Sequence, residues 1–455
     1  MKKVSFLLFI LILCGLSVET YAQEPWSPLF NGRNLKGWKQ LNGTAKYKVK
    51  DGMLTGTTVV GSPNSFLCTT TDYSDFILEF DVLVDPRLNS GVQIRSHSFP
   101  EYQEGRVHGY QVEIDPSDRA WSAGIYDEAR RAWLYTLANN QEARKAFKQN
   151  EWNHYRVEAI GTTIRTWLNE VPAANLTDDM DATGFIAVQV HGIGNDAQNA
   201  GLLVKWKNIR IITDNPAKYA RPMPESISEI STIPNHLTTK EKQEGWKLLW
   251  DGFTTNGWRG ADKDAFPAKG WEIKDRCLSV IAGNGGESTN GGDIITTETF
   301  DNFDLSVDFM LTPGANSGIK YYVVEGLNNG VGSAIGLEYQ LLDDANHPDA
   351  KQGVGGNRTC GALYDLIPPL DVKIVNPPGQ WNTAWIIANN NHIEHWLNGK
   401  KIVDYDRGTQ LYRALVQKSK YIDYPSFGES PEGHILLQDH GNKVSFKNIK
   451  IKTLN

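Results

Sequence analysis

Glu338 and Gln340 stand two residues apart in the run Gly336-Leu-Glu-Tyr-Gln-Leu-Leu342. Alternation there predicts a strand with Glu338, Gln340 and Leu342 on one face and Leu337, Tyr339 and Leu341 on the other. The polar members then point together, away from an apolar face. A loop rich in Asp, Asn, Gly and Pro follows as far as Pro369, carrying His347, Lys351, Arg358, Tyr364 and Asp365. A loop of that length without periodicity is either disordered or functional, and its charged and aromatic content favours function. Polar groups on loops borne by a rigid sheet are a common site design, and carboxylate, imidazole and phenol are groups that move protons. The competing reading is an ordinary exposed strand followed by a solvated loop.

The elements that would position these residues occur twice. Asn31-Gly32 and Gly37-Trp38 match Asp251-Gly252 and Gly257-Trp258. Phe76-Ile-Leu-Glu-Phe-Asp-Val matches Phe303-Asp-Leu-Ser-Val-Asp-Phe, Asn89-Ser90-Gly91 matches Asn316-Ser317-Gly318, and Gly109 matches Gly336, all at one constant separation. That separation places Gln111 on Glu338 and Glu113 on Gln340. Trp152-Asn153 and Trp167-Leu168-Asn169 match Trp381-Asn382 and Trp396-Leu397-Asn398. The repeats close with Gln189-Val190-His191-Gly192 against Gln438-Asp439-His440-Gly441. So long a period means two duplicated domains rather than a solenoid.

Each repeat reads as β. Phe76, Leu78, Phe80, Val82 and Val84 take one face of a strand, and Phe303, Leu305, Val307, Phe309 and Leu311 repeat the pattern. Short strands broken by Gly, Asn and Asp predict an antiparallel sandwich, with Asn-Ser-Gly as a turn between strands. Helix is expected only at Gln141 to Gln149 and at Leu411 to Ser419, inside an insertion peculiar to the second repeat. The boundaries are residues 23–212 for the first domain, 213–244 for a Pro-rich, extended and stiff linker, and 245–455 for the second domain.

Lys2-Lys3, the apolar run from Val4 to Leu16 and the ending Thr20-Tyr21-Ala22 predict a secretory signal peptide over residues 1–22. The run is short for a membrane span, so the mature chain is expected to begin at Gln23 and to be soluble and periplasmic or secreted. Cys14 would offer a lipid anchor, but Leu13 stands where a small residue belongs. Cys68, Cys277 and Cys360 remain, an odd number that cannot form a complete disulfide framework. The net charge of −7 argues against nucleic acid. Abundant Trp, Tyr and Gly suit contact with carbohydrate, whose faces take flat rings, although the same rings could fill a β core.

Both halves resemble the exported bacterial domains called 3-keto-disaccharide hydrolases, also described as 3-keto-glucoside 1,2-lyase/3-keto-2-hydroxy-glucal hydratase domains. In the second repeat the resemblance rests on Asn316-Ser317-Gly318, Glu338-Tyr339-Gln340, Asn357-Arg358-Thr359, Leu363-Tyr364-Asp365-Leu366, Ser419-Lys420-Tyr421 and Leu437-Gln438-Asp439-His440-Gly441. In the first it rests on Asn89-Ser90-Gly91, the run from Gly109 to Asp115, Gly124-Ile125-Tyr126, Gln189 and His191. It implies an all-β fold: two concanavalin-like jelly-roll sandwiches in tandem. The first repeat departs from the pattern, with Val190 in place of Asp439 and no counterpart to the Ser-Lys insertion. The second repeat is therefore expected to carry most of the activity.

The chemistry implied by the resemblance acts on a sugar bearing a ketone at C3. A base removes the acidified C2 proton, the enolate expels the C1 substituent, and water can add to the glucal product. The resemblance assigns His440 as base or metal ligand, with Glu338 as alternative base or oxygen ligand. Arg358 or a divalent metal ion would hold the enolate, and Tyr364 or His347 would protonate the leaving oxygen. The ion would be held by His440 and Glu338, with Asp439. Gln340, Gln438 and Lys420 would contact the sugar, and in the first repeat Glu113, His191, Arg95 and Tyr126 correspond to the catalytic candidates of the second and would bind substrate there. Two alternatives stay open. One is hydrolysis of ordinary glycosides, which needs two acidic residues across the sugar. The other is a glycan-binding sandwich without catalysis.

Overall fold

The structure, a computed structural model, describes residues 25–283, 286–288, 290–329, 332–424 and 426–454. The signal peptide expected over residues 1–22, with Cys14, lies outside the described residues. The chain divides into two compact units, Met1–Ser228 and Glu229–Asn455.

Each unit stacks two antiparallel sheets over its own apolar core. In the second unit the back sheet runs in the order Trp271–Lys274, Cys277–Val280, Val444–Thr453, Phe303–Leu311, Trp381–Asn389, His392–Leu397, Lys400–Asp406. Its front sheet runs Trp258–Gly260, Ile294–Thr296, His434–Leu437, Asn316–Val324, Ile335–Leu342. The first unit repeats the plan. Its back sheet centres on Phe76–Val84 between Asn153–Ile160 and Leu203–Ile212, and its front sheet on Ser90–His97 between His108–Ile114 and Gly184–Val190.

The alternating residues of these strands decide the layering. Phe303, Leu305, Val307, Phe309 and Leu311 are buried against Leu337, Tyr339 and Leu341 of the front sheet. Each such side chain contributes roughly 1.5–3 kcal/mol on burial. His395 is also in this core, held by the Tyr321 hydroxyl at 2.8 Å and the Gly361 carbonyl at 3.0 Å. Burial lowers its pKa to about 4, so the ring is neutral.

Several local expectations are revised. Asn316-Ser317-Gly318 is not a turn: it opens the strand Asn316–Val324. A Cβ on Gly318 would lie 2.4 Å from Glu338 Oε1, so this glycine is needed for the room it leaves, not for its backbone angle. Among the described residues the α-helices are Gln141–Ala146 and Gln410–Val416, plus a short one, Thr239–Gln243, in the stretch read as an extended linker. That stretch is tied down. Arg156 donates to the Tyr219 carbonyl at 2.7 Å, Arg221 N donates to Glu158 at 2.9 Å, and Asn235 exchanges hydrogen bonds with Asn448. Proline content alone did not reveal these partners. Cys277 is half-buried, Cys68 and Cys360 are buried, and all three are free.

Candidate active site

Because Leu337, Tyr339 and Leu341 enter the core, Glu338 and Gln340 point from the opposite face of the front sheet. Loops close over that face, so Glu338 is only 4% and Gln340 1% exposed. Across the neighbouring strand Lys320 pairs in register with Glu338, and Gly318 with Gln340. Gln438 joins from the other side, its backbone N donating to the Gly318 carbonyl at 3.0 Å.

Hydrogen bonds set what these side chains offer. Gln340 Nε2 donates to Asn316 Oδ1, and Asn316 Nδ2 lies on His440 Nε2, both at 3.3 Å. With Nε2 accepting, the neutral imidazole carries its proton on Nδ1. Gln438 Nε2 donates to Glu287 Oε1 at 3.0 Å. Four buried atoms are left without a partner: Glu338 Oε2, Gln340 Oε1, Gln438 Oε1 and His440 Nδ1. Buried polar groups without partners are costly, and four on one sheet face mark a place shaped for a polar ligand. Three are acceptors and one is a donor, which is the complement of a sugar's hydroxyls together with one oxygen that accepts.

The loop after Leu342 forms a second layer. Tyr364 O–H donates to Asp349 at 2.9 Å. Burial, followed by that bond, holds its pKa well above the usual phenol value, so it stays protonated. Arg358 is spent on Asp365 at 2.7 Å, Asp349 at 3.1 Å and Gln352 at 3.2 Å. It braces the loop and is not free to hold an enolate. His347 Nδ1 accepts from Asp349 N at 3.2 Å, and its ring stands edge-on to His440 at 6.3 Å. Burial, then the neighbouring His440, lowers the His347 pKa. Lys420 is exposed, its ammonium 4.4 Å above the Tyr364 ring.

Asp439 does not join the site. It is fully buried and its carboxylate accepts from the backbone N–H of Gly291, Gly292 and Gly441 at 2.9–3.0 Å. The expected metal set of His440, Glu338 and Asp439 is therefore not assembled. The Lys320 ammonium, 3.8 Å from Glu338 Oε2, already brings a positive charge there. What remains beside Glu338 and His440 is the amide oxygens of Gln340 and Gln438. Among the described residues, His392, Glu394 and Asp404 come close enough to share one. They lie on the back sheet, with Lys401 on two of their carboxylates.

In the first unit Glu113 occupies the place of Gln340. Its oxygens accept from Asn89 at 2.6 Å, Gln111 at 2.8 Å and Arg119 at 3.1 Å, and burial raises its pKa. Gln111 in turn accepts from Gln93 at 2.7 Å. Tyr126 sits half-buried edge-on to Trp133. His191 Nδ1 turns to its own loop, at Gly192 O, 2.8 Å. Arg95 is not a sugar contact. It is buried at a strand bulge and spent on Ser74 O and Gly161 O, both at 2.7 Å, and on Asp75. A groove of about 790 Å³ opens beside this face, lined by Asn64, Arg106, Glu128 and Gly192.

Sequence reasoning missed Lys320, and it took Asn316 for part of a turn. The signal was present in the repeat, because Gln93 and Gln111 of the first repeat change together to Lys320 and Glu338 of the second.

Fold and site define an all-β sandwich protein with a cluster of buried, unpartnered polar atoms at the front sheet of its second unit. Two stretches, residues 25–212 and 245–452, match the 3-keto-alpha-glucoside-1,2-lyase-like domain, and the chain belongs to that family. It is 38% identical over 232 residues to a 3-keto-disaccharide hydrolase of Bacteroides thetaiotaomicron, covering 47% of this chain and 79% of that one. A crystal structure of a candidate glycosyl hydrolase from Parabacteroides distasonis is 35% identical, with TM-score 0.44, and covers 49% of this chain and 100% of that one. A carbohydrate-binding module of Bacillus subtilis aligns at 16% identity and TM-score 0.27, over 38% of this chain and 93% of its own.

Proposed function

We propose that the second domain eliminates the C1 substituent of a 3-keto-glycoside and that water then adds to the unsaturated product, so that the net result is hydrolysis. The observation that carries this reading is the group of four unpartnered buried atoms on the front sheet. Glu338 is the ionisable acceptor among them and takes the C2 proton. The electron pair passes into the enolate and then forms the C1–C2 double bond as the C1–O bond breaks. His440, with its proton on Nδ1, donates to the leaving oxygen. Lys420 supplies positive charge toward the enolate oxygen, and the carbonyls of Gln340 and Gln438 accept sugar hydroxyls. No step requires a bound metal. The names of the family and of the Bacteroides relative agree with this substrate class.

The test is consumption of a 3-keto-glucoside against the parent glucoside, with formation of the unsaturated sugar followed by mass and ultraviolet absorption. Only the keto-sugar should react. Equal turnover of the plain glucoside would overturn elimination and favour direct hydrolysis. Export belongs to the same proposal: mass spectrometry of the secreted protein should find Gln23 at the mature N-terminus, and a lipid on Cys14 would contradict it.

A further inference from the structure

Lys320 and Glu338 face one another from adjacent strands, with Nζ 3.8 Å from Oε2 and each residue 4% exposed. That distance is too long for a hydrogen bond, so the ammonium supplies charge while leaving the oxygen free. The lysine is held from behind. It donates to Ser333 Oγ and to the Ala334 carbonyl, the latter at 3.1 Å, and Ser333 Oγ donates to the buried carboxylate of Asp293. Asp293 is anchored by the Asp439 backbone N–H at 2.9 Å. A lysine buried this deeply is tolerated only when paired. Tyr364 and Tyr421 also lie near Glu338, and the exposed Lys420 ammonium stands over both of their rings rather than on the carboxylate. In the first unit the same register pair is Gln93 and Gln111, two neutral amides joined at 2.7 Å. One member of such a pair cannot change alone without leaving an unmatched buried charge.

We propose that Lys320 is a positioning residue for the reaction. It fixes the Glu338 carboxylate on its strand with Oε2 open to the sugar, and Ser333 with Asp293 holds Lys320 in place. The proposal rests on the reading of Glu338 as the base.

The experiment compares Lys320→Gln, Glu338→Gln and the double variant, which recreates the amide pair of the first unit, in the full-length mature chain. Melting temperature, kcat and KM on a 3-keto-glucoside are read for each. Lys320→Gln should lower kcat by at least about tenfold with KM little changed, and should melt lower than the parent. The double variant should recover melting temperature relative to Lys320→Gln while staying as inactive as Glu338→Gln. Wild-type kcat in Lys320→Gln would overturn the proposal, as would melting losses that simply add in the double variant. If the substrate reading itself were wrong, no protein would turn over the keto-sugar, yet the melting coupling between positions 320 and 338 would persist. Failure of that coupling with an active parent would sink the positioning role alone.

Discussion

The two front sheets carry the same scaffold and opposite electrostatics. In the first unit Gln93, Gln111, Glu113, Asn89 and Arg119 form a closed chain of hydrogen bonds, and its one carboxylate has three donors on it. In the second, Lys320 and Glu338 form a charged pair whose carboxylate keeps an open oxygen. The first face is satisfied at these positions and the second is poised. A base must have a free lone pair in reach of the proton, so a carboxylate saturated by donors is a poor base however deeply it is buried. The first face still leaves both side-chain atoms of Gln189 buried and unpartnered, which suits binding a sugar without transforming it.

That contrast can be broken most directly at the two glutamates. Glu338→Gln removes the base and should cut turnover of a 3-keto-glucoside by about a hundredfold or more, while Glu113→Gln should leave most of it. The reverse outcome in steady-state kinetics would move the reaction to the first domain. The two histidines come next. His440→Ala removes the Nδ1 donor and is expected to cost about a hundredfold, whereas His191, bonded to its own loop, should cost little when replaced. Unchanged melting temperatures must accompany both results. A smaller effect is expected from metal removal. Dialysis against a chelator should leave turnover unchanged, since Lys320 supplies the positive charge beside Glu338. Loss of activity restored by a divalent ion would place a cation among His440, Gln340 and Gln438.

A modest effect on stability separates the units by pH. His154 bonds Asp81 at 2.8 Å and lies near Glu79, and these bonds raise its pKa to about 9. In the second unit the matching residue is Thr383, whose hydroxyl donates to Asp308 at 2.7 Å. A raised histidine pKa stabilises the fold fully below the unfolded value of about 6.5, and the gain is lost as pH rises through about 9. The ring is 32% exposed, so solvent screening reduces the contribution to about 1 kcal/mol. Melting curves of the parent should fall across that window, and His154→Thr should flatten them. An equal slope in the variant would remove the charge pair as its cause.

Some of this was legible along the chain. Alternation at Phe303–Leu311 and at Leu337, Tyr339 and Leu341 dictates strands with one apolar face, because successive side chains must point to opposite sides. The same rule sends Glu338 and Gln340 together to the other face. The repeat, read residue against residue, also exposes the exchange of Gln93 and Gln111 for Lys320 and Glu338. Which groups would be free was not legible. Arg358, Arg95 and Asp439 have residue types as suitable as any, yet Arg358 is consumed by carboxylates of its own folded loop, Arg95 by partners distant in sequence and Asp439 by backbone amides. Asn316 turned from a turn residue into the link that sets the His440 tautomer. Hydrogen-bond satisfaction depends on which atoms meet in space, and only the tertiary structure brings them together. The sequence by itself determined two β domains and the face on which chemistry is possible, because periodicity acts locally. The fold alone decided that one face is closed and the other open, because a lone pair is free only when every neighbour that could take it has been placed.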